Sequence, residues 1–181
     1  MELHNANYMK KILGRNFFDR TTLIVARELL EKFLVRRHRG KTAAYMITEV
    51  EAYDGFYDKA SHASRGRTKR NAPMFGPPGC WYVYFTYGMH WMLNIVTRES
   101  GYPAAVLIRG VQGIHGPARL TKKLHIDKRL NTLPASRKTG LWIEDRGVRI
   151  PHSAVKKSPR VGVDYAGAVW AKKPWRYRIA P

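Results

Sequence analysis

Apolar residues recur at helical spacing near the start of the chain and then change to the spacing of strands. Leu23, Ala26 and Leu30 fall on one face of a predicted helix over residues 19–31. A second, short and basic helix is predicted to begin at Pro117. Alternating or continuous apolar runs predict strands over residues 33–37, 43–53, 81–87, 90–97, 104–109, 141–143, 160–163 and 175–179. We therefore expect an α+β fold with a mixed, largely antiparallel sheet and surrounding helices.

The second of these strands carries two glutamates on a face that is otherwise mostly apolar. Strand alternation places Glu49 and Glu51 on the same side as Tyr45, Ile47 and Tyr53. Such carboxylates can serve acid–base chemistry or take part in a buried ion pair. Strand alternation alone does not indicate which of the two glutamates has which of these roles.

Two aromatic-rich strands predict a hairpin that is joined tightly at Gly88 and Met89. Tyr82 and Tyr84 share one of its faces, and the hairpin follows an irregular segment, residues 54–79, that contains several arginines. Aromatic side chains beside arginines can stack on unpaired bases. An aromatic hairpin alone, however, is more often part of a core.

The length of 181 residues fits one domain, which we expect to span residues 1–181, with residues 1–15 as a loosely ordered N-terminal extension. The hydrophobic fraction of 44% is that of an ordinary folded protein. The apolar runs are far shorter than the roughly 18–20 residues needed to cross a bilayer, so we expect no membrane span. The single cysteine, Cys80, excludes internal disulfides and zinc sites built from several thiolates.

The charge of the chain points to a polyanionic partner. Its 33 lysines and arginines against 13 acidic residues give a formal net charge of +20 at pH 7. Solubility alone requires only about 2–8 net charges on a small domain. Nucleic acid is therefore the favoured partner class. An anionic membrane surface is the alternative, but the sequence has no long amphipathic basic helix and no lipidation motif.

Several enzyme classes lack their motifs in this sequence. It contains no P-loop, no dinucleotide-binding GxGxxG, no HExxH and no zinc-deaminase motif. The seven histidines are scattered without the spacing of metal ligands. We therefore expect neither a metal nor a cofactor.

A series of short motifs runs in one order along most of the chain. They are FFD (17–19), TEVEAY (48–53), ASH (60–62), GRTKRN (66–71), MFGPPG (74–79), YVYFTYGM (82–89), LN (93–94), VLIR (106–109), GP (116–117) and RVGVDYAG (160–167). In order and spacing they resemble the alkyladenine (3-methylpurine) DNA glycosylase family. The resemblance covers residues 16–179.

The resemblance implies a monofunctional DNA glycosylase of base excision repair. Such an enzyme flips alkylated or deaminated purines out of double-stranded DNA through a protruding, DNA-inserting β-hairpin. A water activated by a glutamate then hydrolyses the N-glycosidic bond and leaves an abasic site. We expect an intracellular monomer, in the cytoplasm or nucleoid of a bacterium or in the nucleus of a eukaryote.

The family pattern selects Glu51 as the catalytic base that activates the water. Arg109 is implied to hold this carboxylate and the water, and the backbone carbonyl of Val161 is implied as a further contact. A cation this close favours the ionised form that a base requires.

The implied base-binding residues surround the extruded purine. Tyr53, His62 and Tyr84 correspond to the aromatic walls, which attract cationic alkylpurines through cation–π contacts. Asn94 corresponds to the residue that obstructs the 2-amino group of normal guanine, and Leu107 corresponds to a residue of the pocket lining. From the residues alone, both could be ordinary strand positions.

The implied DNA contacts lie in the hairpin and in the segment before it. Tyr87 corresponds to the tyrosine that wedges between base pairs from the hairpin tip. Lys69 stands where the family usually has proline, which puts the geometry of this segment in question. The remaining implied contacts are Arg65, Arg67, Thr68 and Arg70, which grip the DNA backbone, and Met89 and His90 beside the tip.

Three other readings of the sequence compete with hydrolysis. A protein that keeps the fold but only binds lesions would differ in whether Glu51 and Arg109 support the reaction, and both residues are present. A basic RNA-binding or ribosome-associated module would explain the net charge but not the ordered motifs. A lyase would need an activated amine, for which the sequence offers no motif.

Overall fold

The longest described strand, Lys41–Asp54, is paired with neighbouring strands over most of its length within a ten-stranded sheet. The computed structural model describes residues 10–179. The strands are β1 (Lys11–Ile12), β2 (Phe33–His38), β3 (Lys41–Asp54), β4 (Trp81–Thr86), β5 (His90–Val96), β6 (Ala104–Val111), β7 (Ile114–His115), β8 (Leu141–Asp145), β9 (Val155–Ser158) and β10 (Arg176–Ile179). The α-helices are α1 (Arg15–Phe18), α2 (Thr22–Leu29), α3 (Pro117–Lys123) and α4 (Gly167–Ala171).

The sheet has the order β1-β8-β2-β3-β6-β5-β4, with β7 paired to β6. Strand β3 pairs with β2 through its first half and with β6 and β10 through its second half. Strand β9 pairs with the far side of β10. The second half of β3 therefore has strands that come from distant parts of the chain as its neighbours.

The two faces of β3, β4, β5 and β6 have different compositions. One face is apolar and packs against α2 and α3, which bury Leu29 and Leu120 completely. The strand residues of this buried face are Val50, Ala52, Trp81, Val83, Leu93, Ile95, Val106 and Ile108. Strict alternation then puts the intervening residues on the opposite face, where the polar and aromatic side chains are collected.

The predicted α+β fold is confirmed, with two differences in the sheet. Every pairing between the described strands is antiparallel, so the sheet is not mixed. Residues 160–163, predicted as a strand, form a turn in which Gly162 has a φ of +71°. A strand cannot pass through a residue with that backbone angle without a break.

The ends of the predicted elements also differ from those in the structure. The helix predicted over residues 19–31 is α2, which is eight residues long, because Leu30 is already extended and Glu31 has a φ of +82°. Residues 1–9 of the expected loose extension lie outside the described part of the chain. Within the rest of it, Lys11 and Ile12 pair with β8 and Arg15 begins α1, so the expectation is wrong for these residues.

Within residues 10–179, no helix has the length and apolar character needed to cross a membrane.

Candidate active site

A cavity of about 330 Å³ opens on the polar and aromatic face of the sheet. Strands β3 to β6 form its floor, and the segments 60–62 and 161–165 form part of its wall. Nine of the residues named from the sequence line it: Glu51, Tyr53, His62, Tyr84, Tyr87, Asn94, Leu107, Arg109 and Val161. The structure therefore brings together the residues implied as catalytic and base-binding, although their roles stay predictions.

Glu51 lies at the floor of the cavity with its side chain completely buried. One carboxylate oxygen, Oε1, accepts a hydrogen bond of 2.8 Å from the backbone N–H of Val161. The other, Oε2, accepts one of 2.8 Å from the hydroxyl of Tyr53. Arg109 Nε lies 3.4 Å from Oε1. The carboxylate is thus held by two hydrogen-bond donors and one ion-pair partner, which come from three different segments of the chain.

Burial raises the pKa of the Glu51 carboxyl above its ordinary value. Arg109, the Val161 N–H, the Tyr53 hydroxyl and Arg176 oppose this shift, because each of them favours the ionised form. The net effect is a carboxylate that is more basic than one at the surface. A buried, oriented and more basic carboxylate is suited to accept a proton from a water molecule.

The contact between Val161 and Glu51 differs from the sequence-based expectation. The sequence implies the backbone carbonyl of Val161 as a further contact of the site, whereas the group that bonds the Glu51 carboxylate is the backbone N–H. Two acceptors cannot form a hydrogen bond with each other, whereas an N–H stabilises the ionised carboxylate. Val161 thereby acts on Glu51 as a donor.

A buried ion pair next to Val161 holds this part of the wall in place. The Arg160 and Asp58 side chains have no exposed surface, and Arg160 Nη2 donates a 2.8 Å hydrogen bond to Asp58 Oδ1. Arg160 Nη1 bonds the other oxygen of Asp58 and the carbonyl of Ala52 on β3. The guanidinium also lies over the Tyr53 ring, 4.7 Å from its centroid. This pair joins the segments that carry Val161 and His62 to strand β3.

Aromatic side chains form the two sides of the cavity. The ring of His62 meets that of Tyr84 edge-on, with 4.7 Å between the centroids, and His62 Nδ1 lies 3.1 Å from the hydroxyl of Tyr82. Burial, and to a smaller degree Arg70, lower the pKa of His62. Burial and the neighbouring Glu51 raise the pKa of Tyr53 well above its ordinary value. The hydroxyl of Tyr53 therefore stays protonated and remains a donor at neutral pH.

Asn94 and Leu107 are adjacent across β5 and β6 and are almost completely buried. Asn94 Nδ2 donates a 3.1 Å hydrogen bond to the carbonyl of Tyr82. Leu107 lies opposite Glu51 across β6 and β3. The two residues thus form part of the floor next to the carboxylate, where they limit the shape of the cavity.

The hairpin between β4 and β5 ends in a strained turn. Tyr87 and Gly88 have φ angles of +51° and +64°, and the N–H of Met89 donates to the carbonyl of Thr86 over 3.1 Å. Positive φ at both central residues is the pattern of a type I′ turn, which favours asparagine and glycine rather than tyrosine. The Tyr87 side chain is 81% exposed. An aromatic ring is therefore held out into solvent at the rim of the cavity.

The predicted DNA-contacting residues of the preceding segment lie outside the cavity lining. Arg65, Arg67, Thr68 and Arg70 are exposed, as are Met89 and His90 beside the hairpin turn. Arg70 donates a 3.0 Å hydrogen bond to the carbonyl of Phe85 and lies 5.3 Å from the centroid of the Tyr84 ring. This arginine connects the segment to the aromatic wall.

Asn71, a residue not singled out from the sequence, organises this segment. Its side chain is buried and donates to the carbonyls of His62 (2.8 Å) and Gly66 (2.9 Å). Its Oδ1 accepts from the N–H of Thr68 over 2.7 Å. One amide thus holds three points of the chain, and these hydrogen bonds fix the segment that carries Lys69.

The sequence-based reasoning also missed several other residues of the site. Tyr82, Met74 and Tyr165 line the cavity. Tyr82 could have been found, because it shares a strand face with Tyr84. Met74 and Tyr165 lie in irregular segments, where no periodicity indicates the direction of a side chain. Among residues 10–179, no cluster of three or more His, Cys, Asp or Glu residues could hold a metal ion.

Comparison with known proteins adds an independent observation. The family model described as methylpurine-DNA glycosylase (MPG) matches residues 16–116 and 113–181. A protein of Methanocella arvoryzae named "putative 3-methyladenine DNA glycosylase" is 44% identical over 189 aligned positions, covering 92% of this chain and 91% of that protein. Proteins of the same name from Myxococcus xanthus and Sodalis glossinidius are 42% and 43% identical, over 91% and 92% of this chain and 88% and 96% of their own lengths.

Proposed function

Because the chain belongs to the methylpurine-DNA glycosylase family, we propose that it is a monofunctional DNA-3-methyladenine glycosylase. Its substrate is an alkylated or deaminated purine in double-stranded DNA. It hydrolyses the N-glycosidic bond and leaves an abasic site for base excision repair. The protein acts as a monomer inside the cell.

One observation carries this proposal, the completely buried carboxylate of Glu51 at the floor of an aromatic cavity. The cavity volume of about 330 Å³ falls in the usual range for small-ligand pockets, roughly 300–1,000 Å³. Its aromatic walls suit a flat base, and the carboxylate lies where a bound nucleoside could present its sugar. A core aromatic cluster would need neither a carboxylate nor an opening.

Extrusion of the damaged nucleotide has to come before the reaction, because the C1′ atom is blocked within a stacked duplex. Leaving the stack costs about a few kcal/mol. The exposed ring of Tyr87 at the hairpin turn is placed to fill the gap from the minor groove. Filling the gap slows the return of the base and prolongs its stay in the cavity.

The aromatic walls favour those damaged purines that carry a positive charge. A purine nucleotide alkylated at N3 or N7 is cationic, and its attraction to the rings of Tyr53 and Tyr84 is worth about 0.5–2 kcal/mol depending on desolvation. A cationic purine is also the better leaving group, so part of the selection lies in the substrate. Asn94 at the floor obstructs the 2-amino group of undamaged guanine.

Hydrolysis then proceeds with Glu51 as the general base. The oxygen of a water molecule bonds to C1′ as the C1′–N bond breaks, and the electron pair of that bond goes to the purine. The water proton passes to the Glu51 carboxylate. Arg109 and the Val161 N–H hold this carboxylate, whose negative charge also stabilises the positive charge that develops on the sugar.

Contacts with the DNA backbone hold the enzyme on the duplex. The exposed arginines of residues 65–70 and the net charge of +20 supply this attraction. Such contacts carry no sequence information. Recognition therefore depends on whether a base can be extruded and bound.

Single-turnover release of 3-methyladenine and hypoxanthine from duplex DNA tests the function. The native protein is compared with Glu51→Gln at matched DNA occupancy, and Glu28→Gln on the outer side of α2 is the control. We expect the Glu51 variant to lose about 10²–10⁴-fold in rate while it still binds DNA, and the control to release base like the native protein. Release that is unaffected by Glu51→Gln would refute the role of Glu51, and no release by the native protein would refute the enzyme.

A further inference from the structure

Glu49, which the proposed mechanism does not use, is the common partner of two arginines beside Glu51. Its Oε1 accepts a 2.9 Å hydrogen bond from Arg109 Nε and a 2.7 Å hydrogen bond from Arg176 Nε. The Glu49 side chain is only 15% exposed. The two arginines come from β6 and β10, on strands that both pair with β3. Glu49 therefore joins three strands of the sheet through one oxygen atom.

Arg109 is closer to Glu49 than to Glu51. Its Nε lies 2.9 Å from the Glu49 carboxylate and 3.4 Å from Oε1 of Glu51, and only the first of these contacts has the geometry of a hydrogen bond. Because both carboxylate oxygens lie within 3.4 Å of one nitrogen, they are within about 6 Å of each other, a range in which like charges interact.

The backbone of the sheet is irregular at this point. The pairing of β3 with β6 changes register on both sides of Glu49, which lies opposite Gly110. A Cβ atom at residue 110 would approach the Cβ of Glu49 to 3.4 Å. A contact of this length is ordinary packing, so it is the change of register that marks this point of the sheet. Local irregularities of this kind re-aim side chains next to active sites.

We propose that Glu49 is a positioning residue that holds the Arg109 and Arg176 side chains and limits how much of their charge reaches Glu51. This inference rests on the proposed function, because it gives Glu51 the role of base. The interaction among the four side chains of Glu49, Glu51, Arg109 and Arg176 can itself be measured without a substrate.

Two effects of Glu49 on Glu51 have the same sign. The negative charge of Glu49 disfavours a second negative charge nearby, and Glu49 also draws the Arg109 guanidinium away from Glu51. Both effects favour protonation of Glu51 and make its carboxylate a stronger base. Replacing Glu49 with glutamine removes the negative charge and with it the first effect; because the amide oxygen still accepts from the two arginines, the second effect is weakened rather than removed.

The other groups that face Glu51 are unchanged by this replacement. They are Arg109 from β6, Arg176 from β10, Tyr53 from β3, Tyr84 from β4, and the Val161 N–H and Tyr165 from the segment 161–165. Arg176 provides a second variant with the opposite expected result. Removing its positive charge disfavours the ionised form of Glu51, and it leaves Arg109 as the sole ion-pair partner of Glu49 among the described residues.

The experiment follows the Glu51 carboxyl directly by ¹³C NMR as the pH is varied, in the native protein, Glu49→Gln, Arg176→Gln and the surface control Glu99→Gln. Glu51→Gln identifies the resonance. We expect the Glu51 midpoint to fall by at least about half a pH unit in Glu49→Gln, to rise in Arg176→Gln, and to stay unchanged in the control. A residue with only a structural role would lower the unfolding temperature without moving this midpoint.

Base release as a function of pH supplies the second readout, with 3-methyladenine as the leaving base. The acid limb of the rate profile is expected to move to lower pH in Glu49→Gln, together with the NMR midpoint. An unchanged or higher midpoint in Glu49→Gln, or an unchanged or lower one in Arg176→Gln, would overturn the inference. If the native protein releases no base while the midpoints shift as expected, the proposed function fails and the positioning role of Glu49 stands.

Discussion

Replacing Tyr87 with asparagine is expected to stabilise the protein and at the same time to impair it. Tyr87 has a φ of +51°, a region that costs a non-glycine residue about 1–2 kcal/mol. Asparagine occupies this region more readily than tyrosine, and Asn-Gly is the preferred pair of a type I′ turn. Since the Tyr87 side chain is 81% exposed, little buried area is lost. We therefore expect a gain of about 0.5–1 kcal/mol, which corresponds to roughly 1–4 °C in Tm for a domain of this size.

The same substitution removes the ring proposed to fill the gap in the duplex. Stacking of an aromatic ring on a base is worth about 1–3 kcal/mol, which corresponds to roughly 5- to 150-fold in rate. Release of 3-methyladenine from duplex DNA should fall by such a factor in Tyr87→Asn. The loss should be smaller for a lesion in single-stranded DNA, where no base pair has to be broken.

Thermal unfolding and single-turnover release are measured on the native protein, Tyr87→Asn and Tyr87→Phe. Phenylalanine keeps both the strained backbone and the flat ring, so it should change neither the Tm nor the duplex rate by much. A Tm of Tyr87→Asn at or below the native value would refute the argument from backbone strain. An unchanged rate of base release from duplex DNA in Tyr87→Asn would refute the proposal that the Tyr87 ring fills the gap in the duplex.

Three further outcomes follow from the buried polar groups of the site. Burial raises the pKa of Glu51, so the native fold is most stable with this group protonated and loses stability as the pH rises through the raised pKa. The Tm of Glu51→Gln relative to the native Tm should therefore increase between pH 4 and pH 8 in thermal unfolding. A constant difference between the two Tm values would contradict this. Asp58→Ala leaves the Arg160 guanidinium buried without its carboxylate partner and should lower the free energy of unfolding in urea by about 3–5 kcal/mol. The double variant Asp58→Ala with Arg160→Met should recover part of this loss. Equal stabilities of the single and the double variant would argue against an uncompensated charge. Asn71→Ala removes the amide that holds residues 62–68, so oriented arginine–phosphate contacts should be lost. DNA affinity measured by fluorescence anisotropy should therefore fall more at low than at high salt. An unchanged affinity would exclude a role of this amide in DNA binding.

Local patterns in the sequence predict those parts of the fold in which burial has a regular period. The aromatic hairpin and the long strand β3 are both found near the predicted positions, because each has one face against the core. The same reasoning was wrong at residues 160–163, which were predicted as a strand and form a turn. Its Val163 is buried within a small cluster of irregular segments, and a strand period cannot describe that kind of burial.

The residues of the candidate site could largely be predicted from the sequence, but the contacts between them could not. Family resemblance selects Glu51, whereas the strand period alone leaves Glu49 as an equal candidate. The structure separates the two by their surroundings: Glu51 has no exposed surface and faces the cavity, and Glu49 is bonded to two arginines. The donor to Glu51 from Val161 is 110 residues away in sequence, so no local pattern could have indicated it.

Strand β3 carries its carboxylates and its core residues in alternation along one stretch of the chain. Val50 and Ala52 face the helices, while Glu49, Glu51 and Tyr53 alternate with them on the opposite face, where Glu51 and Tyr53 line the cavity. A slip of one residue in the pairing would exchange the two sets and bury both carboxylates in the apolar core. The active arrangement is therefore compatible with a single register. In protein engineering, insertions and deletions should therefore be confined to the loops. Catalytic activity can also be used to test whether the sheet has assembled in the correct register.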